Sequence, residues 1–197
     1  ILPTLAQWLM PPTRPFDSMK IDRNSPQEEE MALLNYGATA FYNFWFTPDR
    51  IVDWYHRTIG FSVGSPEEKD WLDSYVALLT KTSAVNNSKR LLLKNPPNTG
   101  RIPALLKQFP RAKFIFIHRN PYSVYPSTQK LHRKVIPMFS LQRYDFKTVS
   151  AGIREVYRQL MQRYIENRVL IPKENLIEVG FQELLDDPLE ILQQIYT

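Results

Sequence analysis

The amino-acid sequence predicts an α/β fold in which helices flank a parallel sheet and the first third of the chain is rich in helix. Three observations predict this fold. In residues 89–197, short apolar runs alternate with segments of helical spacing, which is the pattern of strand–helix–strand units. The apolar runs are continuous, so we expect strands that are covered on both faces. Residues 1–88 carry only helical signals after a proline-rich start.

The helical part begins with an extended segment. The first 25 residues are rich in proline, which predicts a segment that wraps on the body of the domain. Ser25 and Ser65 are each followed by proline and then by glutamates. This pattern starts a helix, because serine caps the first turn and proline fits its first position. Thr47, followed by Pro48, predicts another helix start between these two.

The α/β part alternates between strands and helices. Continuous apolar runs predict strands over residues 90–94, 114–117 and 175–179. Amphipathic or proline-started segments predict helices over residues 102–109, from residue 121 onward, and over residues 146–168, 181–185 and 188–196. Because ligands of open parallel sheets bind beyond the carboxyl ends of the strands, we expect the loops after the strands to form the functional rim.

Length and composition indicate one domain, residues 1–197. A chain of 197 residues of which 43% are hydrophobic can bury one core, but it is too short for two large domains. It opens on Ile1 without a methionine and ends in a helical pattern, so we expect a domain that is truncated at both ends. Within it, residues 1–88 are expected to be the acceptor side and residues 89–197 the α/β part.

The composition also excludes several kinds of site. There is no cysteine, which excludes thiolate catalysis and a disulfide framework. His56, His118 and His132 lack the spacing of metal ligands, so no metal is predicted; His118 is expected to face the sheet interior and the other two to be solvated. No apolar run is long enough to span a membrane. The compartment stays open between the cytoplasm and a lumen, with an anchor outside this segment, and the oligomeric state is also open.

The charge of the chain favours an anionic partner. Lys and Arg number 25 against 20 Asp and Glu, which gives a net charge of +5. The basic residues are interspersed with acids, so a nucleic-acid partner is not predicted.

Three loops are expected at the functional rim, and they begin at Lys94, His118 and Gly180. Arg119 ends a strand and Pro121 starts a helix, whose free backbone N–H groups should point at the same rim. Ser127 follows about two turns into that helix. Together these groups can hold a phosphate through charge-assisted hydrogen bonds. In the alternative interpretation, Arg119 pairs with an acid of a neighbouring loop and Ser127 only faces a packed helix.

Residues 91–131 resemble the sulfotransferase family that uses 3′-phosphoadenosine 5′-phosphosulfate (PAPS). That family has a strand that ends in Lys, a Ser/Asp/Asn-Pro loop, a helix, Phe-Pro, a second strand, and Arg-Asp/Asn-Pro with Ser eight residues after the Arg. The corresponding residues here are Lys94-Asn95-Pro96, Phe109-Pro110, Arg119-Asn120-Pro121, Val124 and Ser127. Residues 26–34 and 181–189 also resemble family segments, so the resemblance runs from about Pro11 to the last residue.

The resemblance implies a P-loop NTPase-like fold and transfer of a sulfuryl group from PAPS to a hydroxyl or amine. It implies that Arg119 and Ser127 bind the 3′-phosphate. Phe181 stands where relatives often carry a Tyr near the adenine, and its ring can stack on the base; alternatively it is a core Phe that closes the sheet. Lys94 stands where the family places a Lys near the sulfate, and it can stabilise the leaving oxygen. The alternative is a surface Lys that only ends a strand.

The general base is predicted among residues 28–30, with Glu28 and Glu30 ahead of Glu29. A base must take the proton of the acceptor, and Asn98, which stands where several relatives carry His, cannot do so near neutral pH. The alternative is that these acids only stabilise the start of a helix through its dipole.

Two departures from the family pattern keep other functions open. The loop that binds the 5′-phosphosulfate has no match and is expected upstream of Ile1, and the basic glycine-containing loop near the family's C-terminus is expected beyond Thr197. The chain can therefore also be a non-catalytic relative that binds a nucleotide or serves as an interaction module. A nucleotide kinase ranks last, because no strand ends in an acid for Mg²⁺. Carbohydrate, lipid, steroid-like alcohol, other small molecules and protein tyrosine all remain possible acceptors.

Overall fold

A computed structural model describes Thr13, Met19, Lys20 and residues 25–196 of the chain. An isolated antiparallel bridge joins Thr13 to Lys20. The rest of the proline-rich segment, which was predicted to be extended, lies outside the described residues.

The helical part contains α1 (Glu29–Leu33), α2 (Ile51–Thr58) and α3 (Pro66–Val85). The start of α3 is as predicted, because the Ser65 hydroxyl accepts the Glu68 N–H at 3.2 Å. The prediction that a helix starts directly after Ser25 is wrong: Glu28 keeps an extended backbone, and the helix begins at the next residue. The Glu28 side chain contacts distant residues instead of the turn that follows it.

The α/β part contains two strands, β1 and β2, and the helices α4 to α8. Their bounds are α4 Ile102–Gln108, β1 Phe114–His118, α5 Pro121–Phe139, α6 Phe146–Asn167, β2 Leu176–Gly180, α7 Phe181–Asp186 and α8 Pro188–Tyr196. The strands pair in parallel, from Phe114 opposite Leu176 to His118 opposite Gly180. The helix-rich α/β class and the parallel pairing are therefore confirmed. Because the last residue of β1 lies opposite the last residue of β2, the loops that follow the two strands start at the same edge of the sheet.

The sheet is smaller than predicted. Residues 90–94 were expected to form a buried strand, but they have no regular secondary structure, and Leu92 is 77% exposed. A strand needs a neighbour for its backbone groups, and no described strand lies beside this segment. The prediction that the strands are covered on both faces is also wrong for β1. The ring of Phe116 stacks on Tyr164 of α6, whereas Ile117, which points to the other face, is 48% exposed.

Two main groups of buried side chains hold the helices together. The first joins α2, α5 and α6 to the 3₁₀ helix Phe41–Trp45, and the second packs α3 against α1 and α4. In the first group α6 approaches α2 closely at Gly152, where an added Cβ would lie 2.2 Å from Ile51. Both groups contain residues from both sides of position 88.

His132 belongs to the first core region rather than to the solvated surface, so that prediction is wrong. The residue is 7% exposed, and its ring lies 5.1 Å from the ring of Phe44. Helical spacing shows which residues share a face, but it does not show which face the aromatic 3₁₀ helix covers. Burial lowers the pKa of His132 to about 4. His118, which was expected to face inward, is exposed at the end of β1.

The buried His132 is expected to make the fold sensitive to mild acid. Its pKa in the folded chain lies below the ordinary value of 6.5, so the unfolded chain takes up the proton first as the pH falls. Between pH 7 and pH 5, this difference should lower the free energy of unfolding by about 2 kcal/mol. Urea unfolding at both pH values measures it. His132→Leu should remove most of the difference, while the exposed His56→Gln should not; an equal difference in all three proteins contradicts the assignment.

Candidate functional site

Two of the predicted catalytic residues, Glu28 and Lys94, form an ion pair. They come from segments 66 residues apart in the chain. Glu28 precedes α1, and Lys94 lies in the irregular segment before the 3₁₀ helix Pro96–Gly100. The Lys94 side chain is 76% exposed and that of Glu28 is 23% exposed, so the pair lies where a substrate can reach it.

Tyr42 completes this surface group. Its hydroxyl donates to the second carboxylate oxygen of Glu28 at 2.7 Å, and its ring stacks on Trp45 with 4.5 Å between centroids. Burial, followed by the negative charge of Glu28, raises the pKa of Tyr42 well above its usual range. Tyr42 therefore stays protonated and holds one oxygen of Glu28 while Lys94 holds the other.

Glu30 lies in a different environment from Glu28. Its carboxylate is fully buried and accepts from both terminal nitrogens of Arg101 at 2.9 and 3.0 Å, from the Phe41 N–H at 2.5 Å and from the Asn95 amide at 2.9 Å. Burial favours the neutral acid, but the charge and hydrogen bonds of Arg101 outweigh it and lower the pKa of Glu30. A carboxylate that is enclosed in this way does not face an acceptor, so the geometry favours Glu28 as the base.

Glu29 contacts the same loop. Burial, which is the largest effect, raises the pKa of Glu29 above its ordinary value, and the nearby backbone N–H of Lys94 opposes this rise. Its Oε2 atom is buried and has no hydrogen-bond partner among the described residues. Glu28 and Glu30 are thus both bonded to the segment that carries Lys94 and Asn95.

The predicted cofactor residues lie at the shared edge of β1 and β2. Arg119 follows β1, Phe181 follows β2, and the guanidinium of Arg119 lies 4.7 Å from the centroid of the Phe181 ring. Arg119 is exposed, and no acid among the described residues forms an ion pair with it. Ser127 is exposed on α5.

The expectation of free N–H groups at the start of α5 is wrong for its first turn. The Asn120 side chain accepts the Tyr122 N–H at 2.9 Å, and the Asn120 carbonyl accepts those of Ser123 and Val124 at 2.9 and 3.1 Å. Because Asn120 caps the helix, an anion at this edge would rely on side chains such as Arg119.

The catalytic and cofactor residues form two groups. Within the described ranges, no hydrogen bond or ion pair links the Glu28–Lys94 pair to Arg119 or Phe181. In the same part of the chain, no three histidine, aspartate or glutamate side chains are grouped as metal ligands would be.

Sequence reasoning missed three residues of this site: Tyr42, Asn95 and Arg101. Asn95 was part of the Lys-Asn-Pro motif, but nothing indicated that its amide binds Glu30. Arg101 is a single basic residue before a helix, and Tyr42 is one of several neighbouring aromatic residues, so neither forms a pattern. Asn98, which cannot act as a base, donates to the Tyr75 hydroxyl at 2.9 Å and accepts from Arg101 at 3.1 Å.

Comparison with known proteins identifies the family of the chain. The model of the sulfotransferase family matches residues 13–197, and the chain therefore belongs to the sulfotransferase family. Two curated relatives are the omega-hydroxy-beta-dihydromenaquinone-9 sulfotransferases of Mycobacterium bovis and Mycobacterium tuberculosis. Each is 29% identical over 190 residues, which is 96% of this chain and 49% of the relative.

The chain thus spans about half the length of the curated relatives it matches. No solved structure matches it significantly. Of the helices that the structure describes, none combines the length and the apolar character needed to cross a membrane.

Proposed function

We propose that the protein is a sulfotransferase that moves a sulfuryl group from PAPS to a hydroxyl or amine acceptor. The observation that supports this most directly is the contact between Arg119 and Phe181 at the shared strand edge. A guanidinium that has no acidic partner within the described ranges suits a phosphate, and an adjacent aromatic ring suits a nucleobase. Membership of the sulfotransferase family points to the same donor, and we propose the P-loop-like arrangement of the family for the whole domain.

In this proposal Glu28 and Lys94 divide the chemistry between them. Glu28 takes the proton of the acceptor hydroxyl, whose oxygen attacks the sulfur as the bond from sulfur to the bridging oxygen breaks. Negative charge grows on that bridging oxygen, and Lys94 stabilises it. The products are the sulfated acceptor and 3′-phosphoadenosine 5′-phosphate, with the proton on Glu28. Neither role needs a metal ion.

Arg119 and Ser127 hold the 3′-phosphate in this proposal, and Phe181 stacks on the adenine. Arg119 directly follows β1, which fixes the backbone next to it, whereas the Ser127 hydroxyl is carried by α5.

A lipid alcohol is the acceptor that we place first. The curated relatives are named for a hydroxylated dihydromenaquinone. In this chain Trp45 lies between Tyr42 and Phe139, with ring centroids 4.5 and 5.5 Å apart, and Phe139 is 37% exposed. This row of rings begins beside Glu28 and reaches the surface at Phe139, where it can contact an apolar chain that ends in a hydroxyl, while Trp45 itself is buried. Carbohydrate, protein and other small-molecule acceptors are the alternatives.

Arg119→Ala in the full-length protein should weaken binding of 3′-phosphoadenosine 5′-phosphate about ten- to a hundredfold, because one charged hydrogen-bonding group contributes about 1.5–3 kcal/mol. Calorimetry with this ligand and with 5′-AMP measures the effect. The wild type should prefer the ligand with the 3′-phosphate, and the variant should lose that preference. The exposed Arg111, which precedes β1, provides the matched control in Arg111→Ala.

Equal binding of the two nucleotides by the wild type would contradict the proposed site. The non-catalytic alternative, a nucleotide-binding or interaction module, would then come first. Asn98 favours this alternative to some extent, because it replaces a possible base and is held in structural hydrogen bonds.

A further inference from the structure

We propose that Arg101, Glu30 and Asn95 are positioning residues that set the place of Lys94 relative to Glu28. This inference rests on the proposed function, because it assigns a role in the reaction to groups that do not touch the reactants. It concerns the buried contacts directly beneath the exposed Glu28–Lys94 pair.

Arg101 joins three separate segments. Its guanidinium binds Glu30 through both terminal nitrogens, donates from Nε to the Thr58 carbonyl at 2.7 Å and donates to the Asn98 side chain at 3.1 Å. It is fully buried and lies 4.5 Å from the centroid of the Trp71 ring. The planar guanidinium therefore fixes the start of α1, the end of α2 and the Pro96–Gly100 helix relative to one another.

Glu30 connects the buried Arg101 guanidinium to residues that adjoin the surface pair. Of its hydrogen-bond partners, Asn95 directly follows Lys94 in the sequence, and Phe41 directly precedes Tyr42. Glu30 itself lies two residues after Glu28. One buried carboxylate is therefore bonded to the immediate neighbours of Lys94 and Tyr42, and it shares a short segment with Glu28.

Lys94 needs these buried contacts because few interactions in its own surroundings fix its position. The segment that carries it has no strand partner among the described residues, and its long side chain is largely exposed. The bond from the Asn95 side-chain amide to the buried Glu30 carboxylate anchors the residue next to Lys94. A misplacement of about 1 Å in a catalytic group can lower a rate about a hundredfold, so this anchoring bears on turnover.

The sharpest test is Asn95→Ala in the full-length protein. It removes the bond from the loop to Glu30, while Arg101 and the Phe41 N–H still satisfy the buried carboxylate. With PAPS as donor and water as acceptor, kcat should fall about tenfold, and binding of 3′-phosphoadenosine 5′-phosphate should stay unchanged. Asn86→Ala is the matched control, since that amide bonds within the exposed end of α3.

A double-mutant cycle with Lys94→Ala then separates positioning from a general structural effect. If Asn95 acts through Lys94, Asn95→Ala should cost about tenfold in the wild type and almost nothing in the Lys94→Ala background. An equal loss in both backgrounds, or no loss in either, overturns the inference. Should Asn95→Ala fail to fold, Asn95→Ser enters the same cycle.

The failure of the proposed function would look different. If Lys94→Ala alone leaves PAPS turnover unchanged, or if the wild type shows no turnover, then Lys94 has no role to be positioned for, and the inference falls together with the function. If Lys94→Ala lowers kcat while Asn95→Ala does not, the function stands and only the positioning role is wrong.

Discussion

Lys94→Ala is expected to lower kcat for PAPS turnover by about a hundredfold to a thousandfold, which is the usual loss when one group that stabilises a developing oxyanion is removed. In the proposed reaction, charge grows on the bridging oxygen only in the transition state. Binding of 3′-phosphoadenosine 5′-phosphate, which we assign mainly to Arg119, should change much less. The split between kcat and binding is the diagnostic result.

The same substitution should leave the stability of the fold almost unchanged. The Lys94 side chain is 76% exposed, and exposed ion pairs typically contribute about 0–1 kcal/mol. Steady-state rates with PAPS and a long-chain primary alcohol or water, together with thermal unfolding, measure both effects. Lys89→Ala, which removes an exposed lysine of the same segment, is the matched control. A variant that melts early and binds the nucleotide poorly would show that Lys94 is structural instead.

Local signals predicted the helices of residues 102–196 well, because capping and periodicity are properties of neighbouring residues; the helix start expected directly after Ser25 is the exception. The bounds of α8 match the predicted residues 188–196, and α6 ends one residue before the prediction. The run over residues 90–94 looked like a strand for equally local reasons. Whether an extended segment is a strand depends on a partner, and that information is not contained in the segment itself.

The candidate site also has a part that local sequence patterns predicted and a part that they did not. The Lys-Asn-Pro motif and the acidic run of residues 28–30 predicted groups that do meet, namely Lys94 and Glu28. Which of the three acids faces outward could not be read from the sequence, because the answer depends on Arg101, 71 residues after Glu30. The roles of Arg119, Ser127 and Phe181 stay predictions, although the contact of Arg119 with Phe181 agrees with them.

The second large effect is expected from breaking the buried pair of Glu30 and Arg101. Glu30→Gln leaves the guanidinium buried without its counter-charge, and removing one partner of a buried ion pair typically costs about 3–5 kcal/mol. Urea unfolding at pH 7 measures this loss. Glu155→Gln, in an exposed Glu–Arg pair on α6, is the matched control and should change the stability little.

The pH dependence of the same pair has a definite sign. The folded-state pKa of Glu30 lies below its ordinary value of 4.5, so the stability from the pair is present above that value and is lost as the pH falls through the lowered pKa. This acid loss should be absent from Glu30→Gln. It falls at lower pH than the loss expected from His132, so the two can be measured separately.

The double variant Glu30→Gln/Arg101→Met distinguishes stability from positioning. It leaves no buried charge at this pair, and the glutamine can still accept the Phe41 N–H, so it should recover a large part of the loss of about 3–5 kcal/mol that Glu30→Gln alone causes. Its PAPS turnover should nevertheless stay below that of the wild type, because the Arg101 guanidinium that binds Glu30, Asn98 and Thr58 is gone. If the double variant regains both stability and turnover, the Glu30–Arg101 pair has no positioning role. If it regains stability alone, the pair is needed to position Lys94.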